Sequence, residues 1–550
     1  MIKANIKDKG IFTFEKGISL MEITKDIFKD DYREYLGARI NNQIHNLYKT
    51  IEEDTSIELL DKYSVDGYRI YAKTITAIFI AACKDLYGNM GVKINHFLGP
   101  GLYVELIDNT IKFTELKEIE DKMKEIIQAD YPILRQRYSR EEAFKMFEER
   151  GYYEKIRLFK TIGVEEIDVY KINNHIDSFH GYLAPSTSYI EEFKLKYYYP
   201  GALILFPSRR NNYDMNIFKE QKKLGKIFEE SSRWLEILDL AFVGSLNEKI
   251  QSGNISEIIK ISEALHEKKI AQFADQICGD PDNKIILISG PSSSGKTTFA
   301  QRLAIQLKVN GKRPIAISLD DYFVDRDKTP LNPDGTPDFE ALEAVDLDRL
   351  NYDLLKLVEG QTIELPRYNF LTGKGEMSGK FIRVDENHPI IIEGIHGLNP
   401  ELTREIPEKN KFKIYISALT QLNLDAHNRI STTDIRLIRR MVRDVKYRGN
   451  DPVRTFDLWA GVRRGEEKNI FPYQEDADDI LNTSLVYEMS VLKKYIAPLL
   501  EEIDSSSKYY SESRKLLRFL EYFVDIEDES AIPTNSILRE FIGGASFDVH

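Results

Sequence analysis

Residues 284–298 read KIILISGPSSSGKTT: an Ile-rich run passes into Gly290, Pro291, Ser292, Ser293, Ser294, Gly295, Lys296 and Thr297, which fit G-x-x-x-x-G-K-S/T at every position. Thr297 to Val309 then has the pattern of a helix. Glycines let successive backbone N–H groups close around phosphate oxygens, and the start of a helix favours an anion there. A lysine at this place reaches β and γ phosphates, and the following hydroxyl can bind Mg²⁺. Gly290, Ser292, Ser293, Ser294, Gly295, Lys296, Thr297 and Thr298 are therefore the candidate contacts of a nucleoside triphosphate.

Outward from this loop, PIAISL (314–319), PIIIE (389–393) and FKIYIS (412–417) are further short apolar runs, and Leu347 to Val358 is helix-like. Apolar strands alternating with helices predict an α/β core with a parallel sheet covered on both faces, from about residue 281 to 505. Asp320 and Asp321 follow PIAISL directly. Ligands gather at the carboxyl ends of parallel strands, where a carboxylate accepts a hydroxyl proton or holds metal-bound water. Glu393, followed by Gly394, has the Walker-B-like position, so Thr297, Glu393 and Asp320 form the expected Mg²⁺ set. In DIRLIRRMVRDVKYR (434–448), Arg436, Arg439, Arg440 and Arg443 share one side of a helix. That side is either a solvated face or a counter-charge for triphosphate. Arg448, Gly449 and Asn450 break the helix ahead of Arg454, Arg463 and Arg464, which predicts a mobile lid.

At 550 residues the chain is too long for one hydrophobic core, and three or four units are expected. With 42% apolar and 30% charged residues it has the balance of a folded globular protein. The nine-residue run from Ile75 to Cys83 is too short to cross a bilayer, so no membrane partner is expected. No secretory signal opens the sequence, and the two cysteines, Cys83 and Cys278, lie far apart. These features predict a cytoplasmic protein with reduced thiols. Acidic residues outnumber basic ones 89 to 76, so the whole molecule lacks the field of a general nucleic-acid binder. Asn216 to Asn247 reads as one amphipathic helix, Ser139 with Glu142 as a capping box, and Ser513 to Val524 as a helix in the tail.

GPSSSGKTT (290–298), SLDDYF (318–323), RYNF (367–370), IIIEGIHGL (390–398) and RRMVRDVKYRGND (439–451), in this order, resemble the phosphoribulokinase and uridine kinase family of small-molecule kinases. The resemblance implies ATP and Mg²⁺ as cofactors and Asp320 as catalytic base beside Lys296. It places Arg443 and Arg448 on the phosphates, and Glu340, Tyr368 and Arg440 on the acceptor side. The implied reaction is transfer of phosphate to the 5′-hydroxyl of a nucleoside such as uridine or cytidine. Three departures bear on the acceptor: Leu371 to Lys374 offer no base-contacting histidine, Glu340 stands for an aspartate, and Asn450 for an arginine. A kinase for another small alcohol or sugar phosphate shares the same motifs.

The other half resembles threonyl-tRNA synthetases. FTFEKGISLMEITKDI and the residues up to 62 look like their β-grasp TGS domain, and residues 66–210, with KEIEDKMKEIIQADYPI and APSTSYIEEFKL, like their α+β editing domain. The expected organisation is therefore 1–62 TGS-like, 66–210 editing-like, 211–280 helical connector, 281–505 P-loop kinase and 506–550 helical tail. The editing domain's metal-ligand positions fall on Lys73, Ala77, Phe179 and Leu183, none of which is a zinc ligand, so lost hydrolysis and a binding or regulatory role are expected. A nucleotide-dependent RNA- or ribosome-binding protein is the rival class, and a homo-oligomer is open. Neither Asn-Lys pair, at 283 and 410, continues as the N-K-x-D motif of a GTPase switch.

Overall fold

The computed structural model describes residues 1–548 except 89, 332–334, 336, 339, 370, 371, 386 and 421, and the backbone alone of 210. Its second half is built on a five-stranded sheet. Ile285–Ser289 is central, between Ile390–Glu393 and Lys411–Ser417, and Ile315–Ser318 and Asp479–Asn482 are the edges; every pairing is parallel. All five residues of the central strand are buried, and alternate side chains serve opposite faces. Ile286 and Ile288 pack with Phe299, Leu303 and Leu307 of the P-loop helix Lys296–Val309 and with Phe273 of the helix Ile255–Gly279. Ile285 and Leu287 pack with Leu350, Leu354 and Leu357 of the helix Leu347–Val358. Register does the rest: Glu393 pairs with both Ser318 and Ile288, so Glu393, Asp320 and the phosphate loop leave the sheet along one edge.

The N-terminal half has two main sheets. In the first, Ile2–Ile6 pairs antiparallel with Gly10–Phe14 and parallel with Thr55–Asp61, which continues to Tyr35–Ile40 and Gln43–His45. In the second, Val92–Leu98, Gly101–Leu106, Gly201–Leu205 and Lys194–Tyr198 are antiparallel. The helix Val65–Tyr87 contains the apolar run Ile75 to Cys83, which is wholly buried; among the described residues no helix is long and apolar enough to cross a membrane. One continuous core of buried side chains extends from Ile2 to Phe206 and so joins the two sheets.

Two expectations need correction. The helix expected over 216–247 is two helices, Lys222–Ile237 and Val243–Gln251. The chain turns at Asp239, φ 53°, while the Leu240 N–H closes on the Leu235 carbonyl at 3.0 Å, so Leu235, Leu238 and Leu240 all enter one core. The mobile lid expected after Asn450 is an 18-residue helix, Pro452–Asn469, started by Pro452 and capped by the Asp451 side chain. The tail is also built in: Ile537, Leu538 and Phe541 share a core with Ile438 and Met441.

The halves meet at the segment that follows Ser417. Ile94 N–H donates to the Ala426 carbonyl (2.8 Å), and Asn423 Nδ2 returns a bond to the Ile94 carbonyl (3.1 Å). Beside them, fully buried Lys155 reaches Asp425 at 2.9 Å, Asp177 at 3.1 Å and the Ser178 carbonyl at 3.1 Å, while His427 Nδ1 lies 2.6 Å from Asp177. Burial pushes the Asp177 carboxyl up, but His427 and Lys155 outweigh it and bring the pKa down to about 2. The stability this carboxylate contributes is complete above the ordinary Asp range and is lost as pH falls toward 2. Lys155→Met leaves two buried carboxylates short of a cation and is expected to cost about 3–5 kcal/mol. Urea unfolding at neutral pH measures this, and a loss below about 1 kcal/mol means that the junction does not depend on the network.

Candidate nucleotide and phosphotransfer site

The phosphate loop owes its path to two glycines. A Cβ on Gly290 would collide with the Ile416 carbonyl of the neighbouring strand, and Gly295 has φ 85° with Ile537 of the tail packed against it. Lys296 is curled inward, its Nζ donating to the carbonyls of Gly290 (2.9 Å) and Pro291 (3.2 Å). Burial holds its ammonium below the usual lysine range, with Glu393 pulling the other way. The hydroxyls of Ser293 and Ser294 are buried without a hydrogen-bond partner. The two hydroxyls are donors without an acceptor beside a lysine held only by backbone carbonyls among the described residues, as suits a phosphate site.

At the same edge, Thr297 Oγ1 donates to Glu393 Oε1 at 3.0 Å, while Glu393 Oε2 is buried and unpartnered. Asp320 is the second residue of a short 3₁₀ turn, Leu319–Tyr322, and its side chain reaches solvent. Surrounding protein nevertheless desolvates its carboxyl, and the charges of Glu393 and then Asp321 add to this, so its pKa is raised. A bare carboxylate oxygen beside a hydroxyl and a second carboxylate suits a hard cation or its water. Among the described residues no group of three His, Cys, Asp or Glu forms a metal cage. Mg²⁺ that shares substrate phosphates is held by one or two carboxylates and needs no such cage.

The arginine helix Thr432–Arg443 is not a solvated face. Arg436 and Arg439 are 1% and 0% exposed, which rules that reading out. Arg436 pairs with Glu466 of the helix Pro452–Asn469 and donates to the Ser292 carbonyl (3.1 Å), and Glu466 in turn accepts the Ser292 N–H (3.0 Å). Arg439 pairs with Glu488 (2.6 Å) and donates to the Ser293 carbonyl (3.3 Å). Four of the expected contact residues have protein partners in the structure. Arg440, expected toward the acceptor, donates to Ser292 Oγ (2.9 Å) and Asp444 (2.8 Å), which puts it on the phosphate loop. Arg443, expected on the phosphates, pairs with Glu540 of the tail (2.7 Å), and Arg448 pairs with Asp444 (3.2 Å). Thr298, expected to contact the nucleotide, turns its hydroxyl away to Glu540 (2.7 Å). Buried Glu540 thus satisfies both the P-loop helix and the arginine helix, and no local pattern in the tail announces it.

Nearby, Glu340 lies close to Arg440, Lys296 and Glu466, and burial raises its pKa. Its carbonyl accepts from Asn469 Nδ2 (3.2 Å). Tyr368 is buried at the end of the strand Thr362–Asn369, its ring edge-on to Phe323 and its N–H 3.4 Å from Asp321. Phe370 and Leu371 lie outside the described residues. One residue was overlooked in the sequence: His396 is 3% exposed, and burial lowers its pKa while the Glu340 backbone and then Glu343 and Asp338 pull the other way. Its signal was its place three residues after Glu393.

Fold and site together define an α/β P-loop protein with a carboxylate pair facing its phosphate loop. Residues 285–490 match the model of the Phosphoribulokinase / Uridine kinase family. That match supports a nucleotide-dependent phosphotransferase in general and leaves the acceptor open. The chain is also similar to threonine–tRNA ligases, which bears on its N-terminal region. It is 32% identical over 197 residues to that of Natranaerobius thermophilus, covering 36% of this chain and 31% of that one. It is 29% identical over 198 residues to that of Streptococcus pyogenes serotype M3, covering 36% and 30%. The chain therefore spans about a third of the length of the curated relatives it matches. Among solved structures, a possible uridine kinase from Bacillus stearothermophilus covers 36% of this chain and 87% of its own at 19% identity and TM-score 0.24. D-glycerate 3-kinase from Cryptococcus neoformans covers the same shares at 15% identity and TM-score 0.27. With scores this low, the fold rests on the strand order above.

Glu540→Ala strands a mostly buried guanidinium and the Thr298 hydroxyl together. Expected is a loss of about 3 kcal/mol in unfolding free energy, measured by denaturant titration. A change under about 0.5 kcal/mol would show that the tail lies on the site without supporting it.

Proposed function

We propose that the chain is an ATP-dependent phosphotransferase that uses Mg²⁺ and transfers phosphate to a small hydroxyl acceptor, with the 5′-hydroxyl of a uridine- or cytidine-like nucleoside as the leading candidate. The observation that carries this reading is the shared edge of the sheet, where Glu393 is bonded to Thr297 of the P-loop helix and acts electrostatically on both Lys296 and Asp320. In it, residues 281–505 are the kinase unit, 211–280 a connector and 506–550 a tail, while 1–62 and 66–210 are TGS-like and editing-like modules. The site lies in a protein that is cytoplasmic in this reading.

Lys296 and the loop N–H groups hold the β and γ phosphates, and Arg440 adds positive charge at Ser292, so developing charge is met by fixed dipoles and cations. Thr297 and Glu393 are the residues that would hold Mg²⁺, which would neutralise phosphate charge. Asp320 accepts the proton of the acceptor hydroxyl, and its raised pKa makes it a better base than an ordinary aspartate. Glu340, Tyr368 and His396 face the acceptor. A kinase for a different alcohol or sugar phosphate keeps each of these roles and changes only the last three contacts. The test is ATP consumption across nucleosides and sugar phosphates with product mass confirmed, set beside filter binding of tRNA. Turnover with no acceptor, together with tight RNA binding, would favour the RNA-binding class.

Asp320→Asn removes basicity and keeps shape, so turnover is expected to fall about 10²- to 10⁴-fold with ATP affinity nearly constant. In the unsubstituted protein the rate should fall as pH drops through the raised pKa of Asp320, at a higher pH than for an unperturbed carboxylate, and the variant should lose that limb. Glu393→Gln should instead weaken Mg·ATP binding and recover at high Mg²⁺. Recovery of Asp320→Asn by Mg²⁺ alone overturns the assignment of the base.

A further inference from the structure

The C-terminal tail lies across the two helices that carry the phosphate-loop groups. Ile537 packs against Gly295 of the loop, and the Arg439 guanidinium sits over the Phe541 ring at 5.2 Å. Gln301 of the P-loop helix donates to the Asp548 carbonyl, and Lys446, just beyond the arginine helix, to that of Ile542. Between these anchors Glu540, 1% exposed, divides its carboxylate. One oxygen accepts from Thr298, in the first turn of the P-loop helix, and the other from Arg443 of the arginine helix, each at 2.7 Å.

A carboxylate in this place opposes a phosphate in two ways. The start of a helix attracts negative charge, and Glu540 already stands in that field at the first turn of the P-loop helix. It also takes a cation from the neighbourhood. Arg443 follows Arg439 and Arg440, which bond the Ser293 carbonyl and the Ser292 hydroxyl of the loop. Arg443 and Glu540 both act on the Lys296 ammonium, with opposite signs, so the three charges lie close together. Arg443 gives Glu540 one N–H, from Nη1, while its Nε is buried without a partner among the described residues. A guanidinium has five N–H donors, so most of its capacity for an anion is still unused. Phosphate carries more charge than a carboxylate and accepts the same forked bonds, which makes it the stronger partner for a partly buried arginine.

We propose that the tail is an autoinhibitory element, in which Glu540 competes with nucleotide phosphate for Arg443 and so lowers the affinity of the phosphate loop. The inference rests on the nucleotide reading of that loop. Linkage gives it a second consequence: if the docked tail weakens nucleotide binding, bound nucleotide weakens the docking of the tail by the same factor. Arg443 moves to phosphate, and Glu540 is left buried with Thr298 as its one partner of the two. A buried carboxylate without its cation is unfavourable, so the tail loosens. A tail that merely braced the loop would do the reverse and tighten when nucleotide binds.

Full-length protein and its Glu540→Gln variant are titrated with Mg·ATP in a calorimeter, with no acceptor present. Glutamine keeps the size of the side chain and accepts the Thr298 hydroxyl but carries no charge, so ATP is expected to bind about tenfold more tightly. In an Arg443→Gln background, where the contested cation is gone, the same change should tighten binding at most about threefold. Unchanged or weaker binding in Glu540→Gln overturns the proposal. Hydrogen exchange on the unsubstituted protein gives an answer even where a variant fails to fold. At saturating ATP the amides of 537–543 should exchange at least about threefold faster, while those at the start of the P-loop helix slow. Slower or unchanged exchange in the tail overturns the proposal. ATP binding with the tail unaffected leaves the nucleotide reading standing and removes this inference alone, whereas no ATP binding by any of these proteins removes both.

Discussion

Two buried guanidinium groups hold the phosphate loop from behind. Arg436 and Arg439 donate to the carbonyls of Ser292 and Ser293, and their charges are balanced by Glu466 and Glu488. Buried pairs of this kind contribute little net stability because desolvation offsets the attraction, yet breaking one is expensive. Their value is geometric. With those carbonyls tied down, the Ser293 and Ser294 hydroxyls stay without a partner, and the Lys296 ammonium rests on the carbonyls of Gly290 and Pro291.

The same constraint explains why the protein cannot be divided at its sequence landmarks. Glu466 comes from the helix after the Gly449 break, Glu488 from the helix Glu488–Glu501 that follows the last strand, and Glu540 from the tail. Each reaches the loop or the arginine helix, so segments that look peripheral complete the site. The arginine helix begins at the segment that carries Asp425 and Asn428 into the N-terminal half. A junction built on a buried lysine and two carboxylates therefore stands one rigid helix away from the phosphate loop.

In the N-terminal half, the four positions that the synthetase resemblance would align with metal ligands carry packing groups. Ala77, Phe179 and Leu183 belong to the continuous core, and Lys73 lies against Gly181, a glycine with φ 104°. An apolar side chain at a ligand position removes a donor and also fills the space a metal needs.

Much was legible from the chain itself. Four Ile-rich runs, one G-x-x-x-x-G-K-T stretch and the carboxylates after two strands specify a parallel α/β sheet and the edge where phosphate would sit, because strand burial, backbone freedom and charge are local properties of residue type. The strand Asp479–Asn482 escaped notice, since DILN is too short to show a period. Which arginine meets which partner was decided by the tertiary structure alone. Arg436 and Arg443 look equivalent on a helix, but Glu466 and Glu540 lie 30 and 97 residues away from them. A charge's role depends on the neighbours that folding brings to it and on how much water they exclude, and neither quantity is written in the residue's own surroundings in sequence.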